Sequence, residues 1–277
     1  MTAGVVSAGA ATVDPGAVLE LTGVEVRRSG GSILGPIDWT VRRGERWVIL
    51  GPNGSGKTTL VQVASTYLWP SAGTVRILGA EIGAVDAREL RRRIGYASSA
   101  LERQIGDDLT ALDVVRTARH AALGPWWHRY TSADRDRALS LLERLGVGAF
   151  AERPFGLLST GERRRVQIAR ALMPEPEVLI LDEPSASLDL GAREALVRDL
   201  DGLAADAGLA ALVLVNHHVE EIPRSFDHGL VLAEGRAVAS GPIEDVLTAA
   251  SLQAAFRLPI AVERRDGRFR AWLDGGA

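Results

Sequence analysis

Short apolar runs alternate with helix-like segments along most of the chain. Each run is bounded by glycine, proline or charged residues, which is the pattern expected of buried strands. Residues 58–67, between two such runs, contain no glycine or proline and predict a helix. Strands separated by helices predict an α/β fold. The predicted strands fall at residues 18–21, 47–50, 75–78, 94–97, 178–181, 212–215, 230–232 and 237–239.

The strand signal disappears between about residue 100 and residue 173, where Ala138, Leu141, Leu142 and Leu145 recur at helical spacing. We therefore expect an α-helical subdomain, about 100–173, inserted into a domain of residues 18–242 that begins with a β-rich N-terminal subdomain. The remaining segments are predicted as a disordered leader (1–17), a C-terminal helix (243–256) and a short β-like tail (260–272), the last two forming the end of the chain, 243–277.

Composition narrows the class of protein. Of the 277 residues, 46% are hydrophobic and 24% charged, which is the balance of a globular protein with a full core. The net charge of -3 gives no reason to expect nucleic acid as a partner. The absence of cysteine fits a reducing compartment, so we expect a cytoplasmic location. The longest apolar run, residues 208–215, is far shorter than the ~20 residues needed to cross a bilayer.

The strongest chemical signal follows the strand at 47–50. The residues Gly-Pro-Asn-Gly-Ser-Gly-Lys-Thr-Thr match the phosphate-loop pattern G-x-x-x-x-G-K-[ST], between a predicted strand and a predicted helix. In such a loop, backbone N–H groups surround phosphate oxygens and the helix directs its positive end at them. Lys57 is expected to contact the β- and γ-phosphates, and Thr58 to place its hydroxyl on Mg²⁺. The predicted nucleotide-binding residues are Gly51, Pro52, Asn53, Gly54, Ser55, Gly56, Lys57, Thr58 and Thr59.

A second signal ends the strand at 178–181. Asp182 and Glu183 follow that strand directly, and α/β sheets bind ligands at the carboxyl ends of their strands. Asp182 is the expected ligand of Mg²⁺, and Glu183 is the expected catalytic base that orients and deprotonates the attacking water. A solvated strand end is the alternative interpretation of these acids. The phosphate loop on the same chain favours the catalytic interpretation.

Three further segments distinguish among the proteins that carry a phosphate loop, which include kinases, GTPases, helicases and transport ATPases. They are residues 158–162 (Leu-Ser-Thr-Gly-Glu), 182–189 (Asp-Glu-Pro-Ser-Ala-Ser-Leu-Asp) and 216–218 (Asn-His-His). In this order they resemble the L-S-G-G-Q signature, the S-A-L-D loop and the switch histidine of the ABC ATPase family. The resemblance covers roughly residues 18–242 and implies a P-loop NTPase core with a mixed sheet.

The resemblance implies a Mg²⁺-dependent ATPase that works as a homodimer or heterodimer. Each ATP would lie between the phosphate loop of one subunit and the signature helix of the other, with His217 as a second catalytic residue at the γ-phosphate. An integral membrane permease is the implied partner, which would hold the chain on the cytoplasmic face of the cell membrane. The residues from Gly241 onward resemble importers of metal chelates. Further ATP contacts are implied for Ser159, Gly161, Glu162 and Asp189.

The sequence departs from the family pattern at three places. Thr160 and Glu162 replace a glycine and a glutamine of the signature. Arg28 stands where the family carries an aromatic residue that stacks on adenine. Since the planar guanidinium of arginine also stacks on bases, Arg28 is a candidate adenine contact. A solvated side chain is the alternative. Serine replaces the glutamine that the family carries before the helical insert. We expect Ser99 or Gln104 to hold a water that completes the Mg²⁺ coordination.

The alternative function is that of a soluble ABC ATPase that remodels or regulates another macromolecule without a permease. A translation-factor type is disfavoured because only one phosphate loop occurs, and a DNA-repair type because a long coiled coil is absent. A nucleotide sensor without turnover is opposed by Glu183. Residues 126–130 (Trp-Trp-His-Arg-Tyr) are expected to pack on the helices of the insert, with a partner surface as the alternative.

Overall fold

The computed structural model describes residues 14–125 and 128–275. Residues 1–13 of the predicted leader, and Trp126 and Trp127 of the predicted aromatic group, therefore lie outside the described residues. Within the described ranges, no helix combines the length and the apolar character needed to span a membrane. The fold is α/β with a mixed sheet, as predicted.

The strands of the described ranges form two sheets and a separate hairpin. They are β1 (Ala17–Arg28), β2 (Gly31–Arg42), β3 (Arg46–Leu50), β4 (Ala72–Ile77), β5 (Ala80–Glu81), β6 (Ile94–Ser98), β7 (Val178–Asp182), β8 (Ala211–Val215), β9 (His228–Ala233), β10 (Arg236–Pro242), β11 (Ile260–Arg265) and β12 (Arg268–Leu273). The antiparallel sheet has the order β2-β1-β4-β5, the larger sheet the order β10-β9-β3-β8-β7-β6, and β11 pairs with β12. The larger sheet is mixed because β10 runs antiparallel beside five parallel strands.

Helices connect the strands and form the region between β6 and β7. They are α1 (Lys57–Ala64), α2 (Ala87–Arg93), α3 (Ser99–Glu102), α4 (Ala111–Thr117), α5 (Ser132–Arg144), α6 (Thr160–Leu172), α7 (Leu190–Ala204), α8 (Ile243–Val246) and α9 (Ala249–Phe256). Helices α4, α5 and α6 pack on one another. They occupy the part of the chain where the strand signal disappears.

Two hydrophobic clusters cover the two faces of the larger sheet. Ile180 of β7 points into the cluster that contains Trp39 and Leu60, from the antiparallel sheet and α1. Its neighbours on the strand, including Leu181, belong to the cluster that contains Leu142 of the insert. Strands buried on both faces have no polar side to alternate with. This is why β3, β7 and β8 are continuous apolar runs in the sequence.

Strand β2 and the segment 243–256 differ from the expectations. Strand β2 was not predicted, because Gly35 and Pro36 interrupt it, although its second half alternates buried Ile37 and Trp39 with more exposed residues. The segment 243–256 is divided into α8 and α9 rather than forming one helix. The Thr248 hydroxyl accepts a hydrogen bond from the N–H of Ser251 at 3.2 Å, which caps a new helix at that point.

Candidate functional site

The carboxyl ends of the parallel strands meet at one edge of the larger sheet. The strand register places Asp182, the last residue of β7, beside Ser98 of β6 and Val215 of β8. The pairing continues past the strand, since the N–H of Glu183 donates to the carbonyl of Val215 at 3.1 Å. Ligands of open α/β sheets bind at this edge. The two acids are thus placed where a ligand would enter.

The phosphate loop joins β3 to α1 and requires glycine at two positions. Gly51 has a φ of 152°, and a Cβ there would lie 2.1 Å from the carbonyl oxygen of Leu232. Gly56 has a φ of 99° and occupies the N-cap position of α1. Because no side chain caps this helix, the first N–H groups of α1 remain available to an oxyanion.

The Lys57 side chain is folded into the phosphate loop. Its ammonium group donates to the carbonyls of Gly51 (2.8 Å) and Pro52 (3.0 Å), and only 4% of the residue is exposed. Burial lowers the pKa of Lys57, and the charges of Glu183 and Asp182 oppose that change. Phosphate oxygens are stronger acceptors for a cation than neutral carbonyls are. The loop therefore holds a cation that an entering phosphate would attract.

Asp182 lies next to the loop with a hydroxyl on either side of its carboxylate. Thr58 Oγ1 is 3.4 Å from one carboxylate oxygen, and the Tyr96 hydroxyl is 3.3 Å from the other. Burial, and after it the neighbouring Glu183, raises the pKa of Asp182 to about 6. Burial also raises the pKa of Tyr96, so the tyrosine is the hydrogen-bond donor to Asp182. Tyr96 is not among the residues predicted from the sequence.

The donor set at Asp182 fits Mg²⁺. Carboxylate and hydroxyl oxygens are the ligands that this ion prefers, and it takes few of them from protein because it retains water and binds phosphate. In residues 14–125 and 128–275 no three His, Asp or Glu side chains are grouped as a metal site. Thr58 and Asp182 are therefore suited to complete the coordination of an ion that arrives with a nucleotide.

Glu183 and His217 lie together in the wall of a cavity of about 270 Å³. His217 Nε2 is 2.6 Å from Glu183 Oε1. With Glu183 ionised, this distance places an imidazole proton on Nε2. Glu183 has a left-handed φ of 54°, a conformation that is costly with a Cβ and is found at functional sites. The cavity is lined by Ile33, Asn53, Gly54, Ser55, Gly56, Lys57, Thr58, Thr59, Glu183 and His217.

A cation, an oxygen pair suited to a metal ion and a second carboxylate at a phosphate loop are the parts needed to hydrolyse a nucleoside triphosphate. A family model described as ABC transporter matches residues 34–186, which include Lys57, Asp182 and Glu183. The chain belongs to the ABC transporter ATP-binding family. It is an ATPase of that family, and the sequence resemblance is confirmed.

Known proteins similar to this ABC ATPase include importer subunits. It is 39% identical to the uncharacterized ABC transporter ATP-binding protein YlmA of Bacillus subtilis, over 88% of this chain and 93% of that protein. It is 37% identical to the hemin import ATP-binding protein HmuV of Rhodococcus jostii, over 88% of this chain and 81% of that protein. A dimeric post-hydrolysis structure of the ATP-binding cassette MJ0796, bound to ADP and Pi, matches with a TM-score of 0.70, 26% identity, and coverage of 81% and 98% of the two chains.

The signature segment of this ABC ATPase begins helix α6. Ser159 is the N-cap residue: its hydroxyl accepts from the N–H of Glu162 at 3.3 Å, while the Glu162 carboxylate accepts from the N–H of Ser159 at 2.7 Å. This is a capping box, so the glutamate that replaces the family's glutamine has a local structural role. Gly161 faces the segment that resembles the S-A-L-D loop (182–189) and α7, with Leu188 and Ala192 as its neighbours. None of the three predicted signature residues lines the cavity of its own phosphate loop.

Three other predicted contacts do not line the cavity. Asp189 caps α7 by accepting from the N–H of Ala192 at 2.8 Å. Arg28 is exposed at the end of β1 and does not line the cavity, whereas Ile33 of β2, which was not predicted, does. Ser99 is the first residue of α3 and is also outside the lining. The roles of Asp189, Arg28 and Ser99 therefore stay predictions.

Proposed function

We propose that this ABC ATPase couples ATP binding and hydrolysis in a dimer to substrate movement through a separate membrane permease. The observation that carries the proposal is the convergence of five side chains at one edge of the sheet. They are Lys57, Thr58, Asp182, Glu183 and His217. Together they supply the requirements of phosphoryl transfer to water: phosphate binding, metal binding and a positioned base.

Lys57 binds the β- and γ-phosphates. In the structure its ammonium group contacts two loop carbonyls, and the triphosphate exchanges these for charged oxygens. The N–H groups at the start of α1 add hydrogen bonds to the same oxygens. Replacing Lys57 leaves the phosphate charge without its nearest cation, so nucleotide binding depends on this residue.

Thr58 and Asp182 would hold Mg²⁺. When bound with ATP, the ion neutralises charge on the β- and γ-phosphates. Asp182 is poised for this by its burial, because a buried carboxylate gains more from a cation than an exposed one does. The Tyr96 hydroxyl orients the carboxylate from the side opposite Thr58.

Glu183 accepts the proton of the attacking water. His217 Nε2, 2.6 Å from Oε1, holds the carboxylate in place and leaves its second oxygen for the water. The imidazole also lies in the lining of the cavity, on the side of Lys57 and Thr58 where the terminal phosphate of a bound nucleotide would lie. Loss of the carboxylate therefore stops the chemical step and preserves the phosphate-binding groups.

Two copies of the chain, or this chain and a related subunit, enclose the nucleotides. In this arrangement Ser159, Gly161 and Glu162 of one subunit meet the γ-phosphate bound to the loop of the other. Their position outside the lining of their own cavity supports this assignment, as does the dimeric state of the MJ0796 structure. The positive N-terminal end of α6 then adds to the binding of the terminal phosphate.

The permease is an integral membrane protein, and its contact holds the ATPase on the cytoplasmic face of the membrane. The similarity to the hemin import protein HmuV supports an importer, with metal chelates as the substrate class. Affinity purification of the tagged chain from detergent-solubilised membranes tests this partner. We expect an integral membrane protein to co-purify; exclusive recovery with soluble partners would favour the remodelling alternative.

The decisive test of the site uses Glu183→Gln and Lys57→Ala. We expect Glu183→Gln to bind ATP, to lose at least about a hundredfold in turnover, and to accumulate as an ATP-bound dimer on size-exclusion chromatography. Lys57→Ala is expected to lose ATP binding in an equilibrium titration. Glu152→Gln, an exposed surface change of the same chemistry, is the matched control and should match the wild type. Wild-type hydrolysis in Glu183→Gln would exclude Glu183 as the base.

A further inference from the structure

The C-terminal hairpin β11-β12 packs against the turn that follows the switch histidine. This turn, Val219–Glu221, begins two residues after His217. Arg268 of β12 donates to the carbonyl of Glu220, and the N–H of Ala271 donates to the Glu220 carboxylate at 3.0 Å. The hairpin therefore holds both the backbone and the side chain of one residue in the turn.

The same arginine connects the hairpin to α7. Its guanidinium donates two hydrogen bonds to the carboxylate of Glu194, at 2.5 and 3.1 Å. Paired bonds of this kind restrict the orientation of an arginine as well as its position. Arg268 thus joins three elements that are distant in sequence: the hairpin, α7 and the turn after His217.

The next residue of the turn, Glu221, contacts the loop that follows Glu183. Glu221 is only 5% exposed, and its carboxylate accepts from the Ser185 hydroxyl at 2.5 Å and lies 3.5 Å from Arg193 of α7. Movement of the turn would leave this buried carboxylate without its partners, which is costly. Ser185 is two residues after Glu183, and Glu221 lies in the turn after His217. One set of side chains therefore joins the segment that follows Glu183 to the segment that follows His217.

We propose that the C-terminal hairpin positions His217 and Glu183 for hydrolysis, with Arg268 as the positioning residue. The contacts that transmit this effect are called the switch joint, and they comprise Ser185, Arg193, Glu194, Glu220, Glu221 and Arg268. The inference rests on the proposed roles of Glu183 and His217. Apart from Ser185, the joint lies beyond residues 34–186, the segment that matches the family model.

The switch joint acts on turnover rather than on ATP binding. The phosphate loop and Lys57 belong to the β3-α1 connection, and none of their hydrogen bonds involves a residue of the joint. Glu183 and His217, in contrast, each stand at the start of a loop. The switch joint contacts both loops a few residues further on, at Ser185 and at Glu221. A small displacement of a catalytic group lowers the rate of the chemical step more than the affinity for substrate.

The test compares Arg268→Ala, Arg268→Lys and Glu194→Gln with Arg270→Ala in the full-length chain. Arg270 is exposed on the same strand and serves as the matched control. We expect Arg268→Ala to lower kcat about tenfold with KM for ATP unchanged within about twofold, which is the size of coupling seen between connected residues. The kcat of Arg268→Lys should lie between those of the wild type and Arg268→Ala, since lysine retains the charge but not the paired hydrogen bonds. Glu194→Gln, of the same shape as glutamate, should show a smaller loss, and Arg270→Ala none.

Two further measurements separate positioning from a general loss of stability. Hydrogen exchange of the amides in residues 216–221 should increase in Arg268→Ala, while exchange in the phosphate loop and α1 stays as in the wild type. In a His217→Ala background, Arg268→Ala should lower turnover by a smaller factor than in the wild type, because part of its effect passes through His217. Wild-type kcat in Arg268→Ala, or an additive loss in the double variant, would overturn the inference.

The Glu183→Gln variant, assayed in parallel, distinguishes failure of this inference from failure of the proposed function. If Glu183→Gln is inactive and Arg268→Ala has wild-type turnover, only the positioning role of the hairpin is wrong. If Glu183→Gln hydrolyses ATP normally, the assignment of the catalytic site is wrong and the joint has no catalytic contact to hold. Faster hydrogen exchange in residues 216–221 of Arg268→Ala, without a change in kcat, would also contradict a positioning role for Arg268.

Discussion

Gly51→Ala tests whether the phosphate loop depends on its close approach to β9. The added Cβ would lie 2.1 Å from the carbonyl oxygen of Leu232 and 2.7 Å from the hydroxyl of Ser55, whereas ordinary contact begins at 3.4 Å. Relief requires a shift of more than 1 Å between the loop and the strand. Overpacking of this kind costs about 1–3 kcal/mol, and a positive φ in alanine adds about 1–3 kcal/mol. We therefore expect the free energy of unfolding to fall by about 4 kcal/mol.

Gly54→Ala provides the matched control, because Gly54 also has a positive φ, 78°, but no atom lies within 4 Å of its added Cβ. It should lose only the conformational part, about 1 kcal/mol. Thermal unfolding without nucleotide measures both. At about 2–4 °C per kcal/mol for a chain of this size, Gly51→Ala should lower Tm by roughly 10 °C and Gly54→Ala by about 3 °C. Equal shifts in the two variants would refute the steric argument.

Two further predictions concern the metal-binding edge and the signature helix. Tyr96→Phe removes a 3.3 Å hydrogen bond to Asp182. Since such a bond contributes about 1 kcal/mol, the Mg²⁺ concentration for half-maximal ATPase activity should rise by about fivefold or less. Complete inactivity would show a larger role for Tyr96. Glu162→Gln should change the free energy of unfolding by less than about 0.5 kcal/mol, because glutamine also completes a capping box. Glu162→Ala should lower it by about 1 kcal/mol. Equal losses in the two variants on chemical denaturation would contradict the capping box.

The chemistry of the phosphate loop was predictable because it is local. The glycines, Lys57 and Thr58 stand within one short connection, and the strand before it and the helix after it were both visible as patterns. The position of Asp182 and Glu183 at the ligand-binding edge was predictable for a similar reason, since they end an apolar strand and strand ends of an α/β sheet bind ligands; their roles stay predictions. The α/β class followed from the alternation of strands and helices, and the mixed sheet from the family resemblance; the structure confirms both.

Tyr96 and Ile33 could not be found in this way. Tyr96 reaches Asp182 only because β6 pairs in parallel with β7, in a register that aligns Ser98 with Asp182. Ile33 reaches the phosphate loop because the antiparallel sheet lies against α1, and its strand was hidden by a glycine and a proline. In both cases the side chain is ordinary for its strand, and its neighbour is supplied by a distant segment. A signal for Tyr96 was its position near the carboxyl end of a buried strand.

The sequence by itself determined the class of fold, the nucleotide chemistry of the family and the place of the two acids at a strand end, because each depends on residues within a few positions of one another. The tertiary structure alone decided what supports those residues. Arg268 and Glu194 are separated by 74 positions, and Ser185 and Glu221 by 36. No spacing rule relates such pairs, since their contact depends on where the hairpin and α7 pack against the turn after His217. Packing of distant elements therefore decides which side chains contact the loops that follow Glu183 and His217.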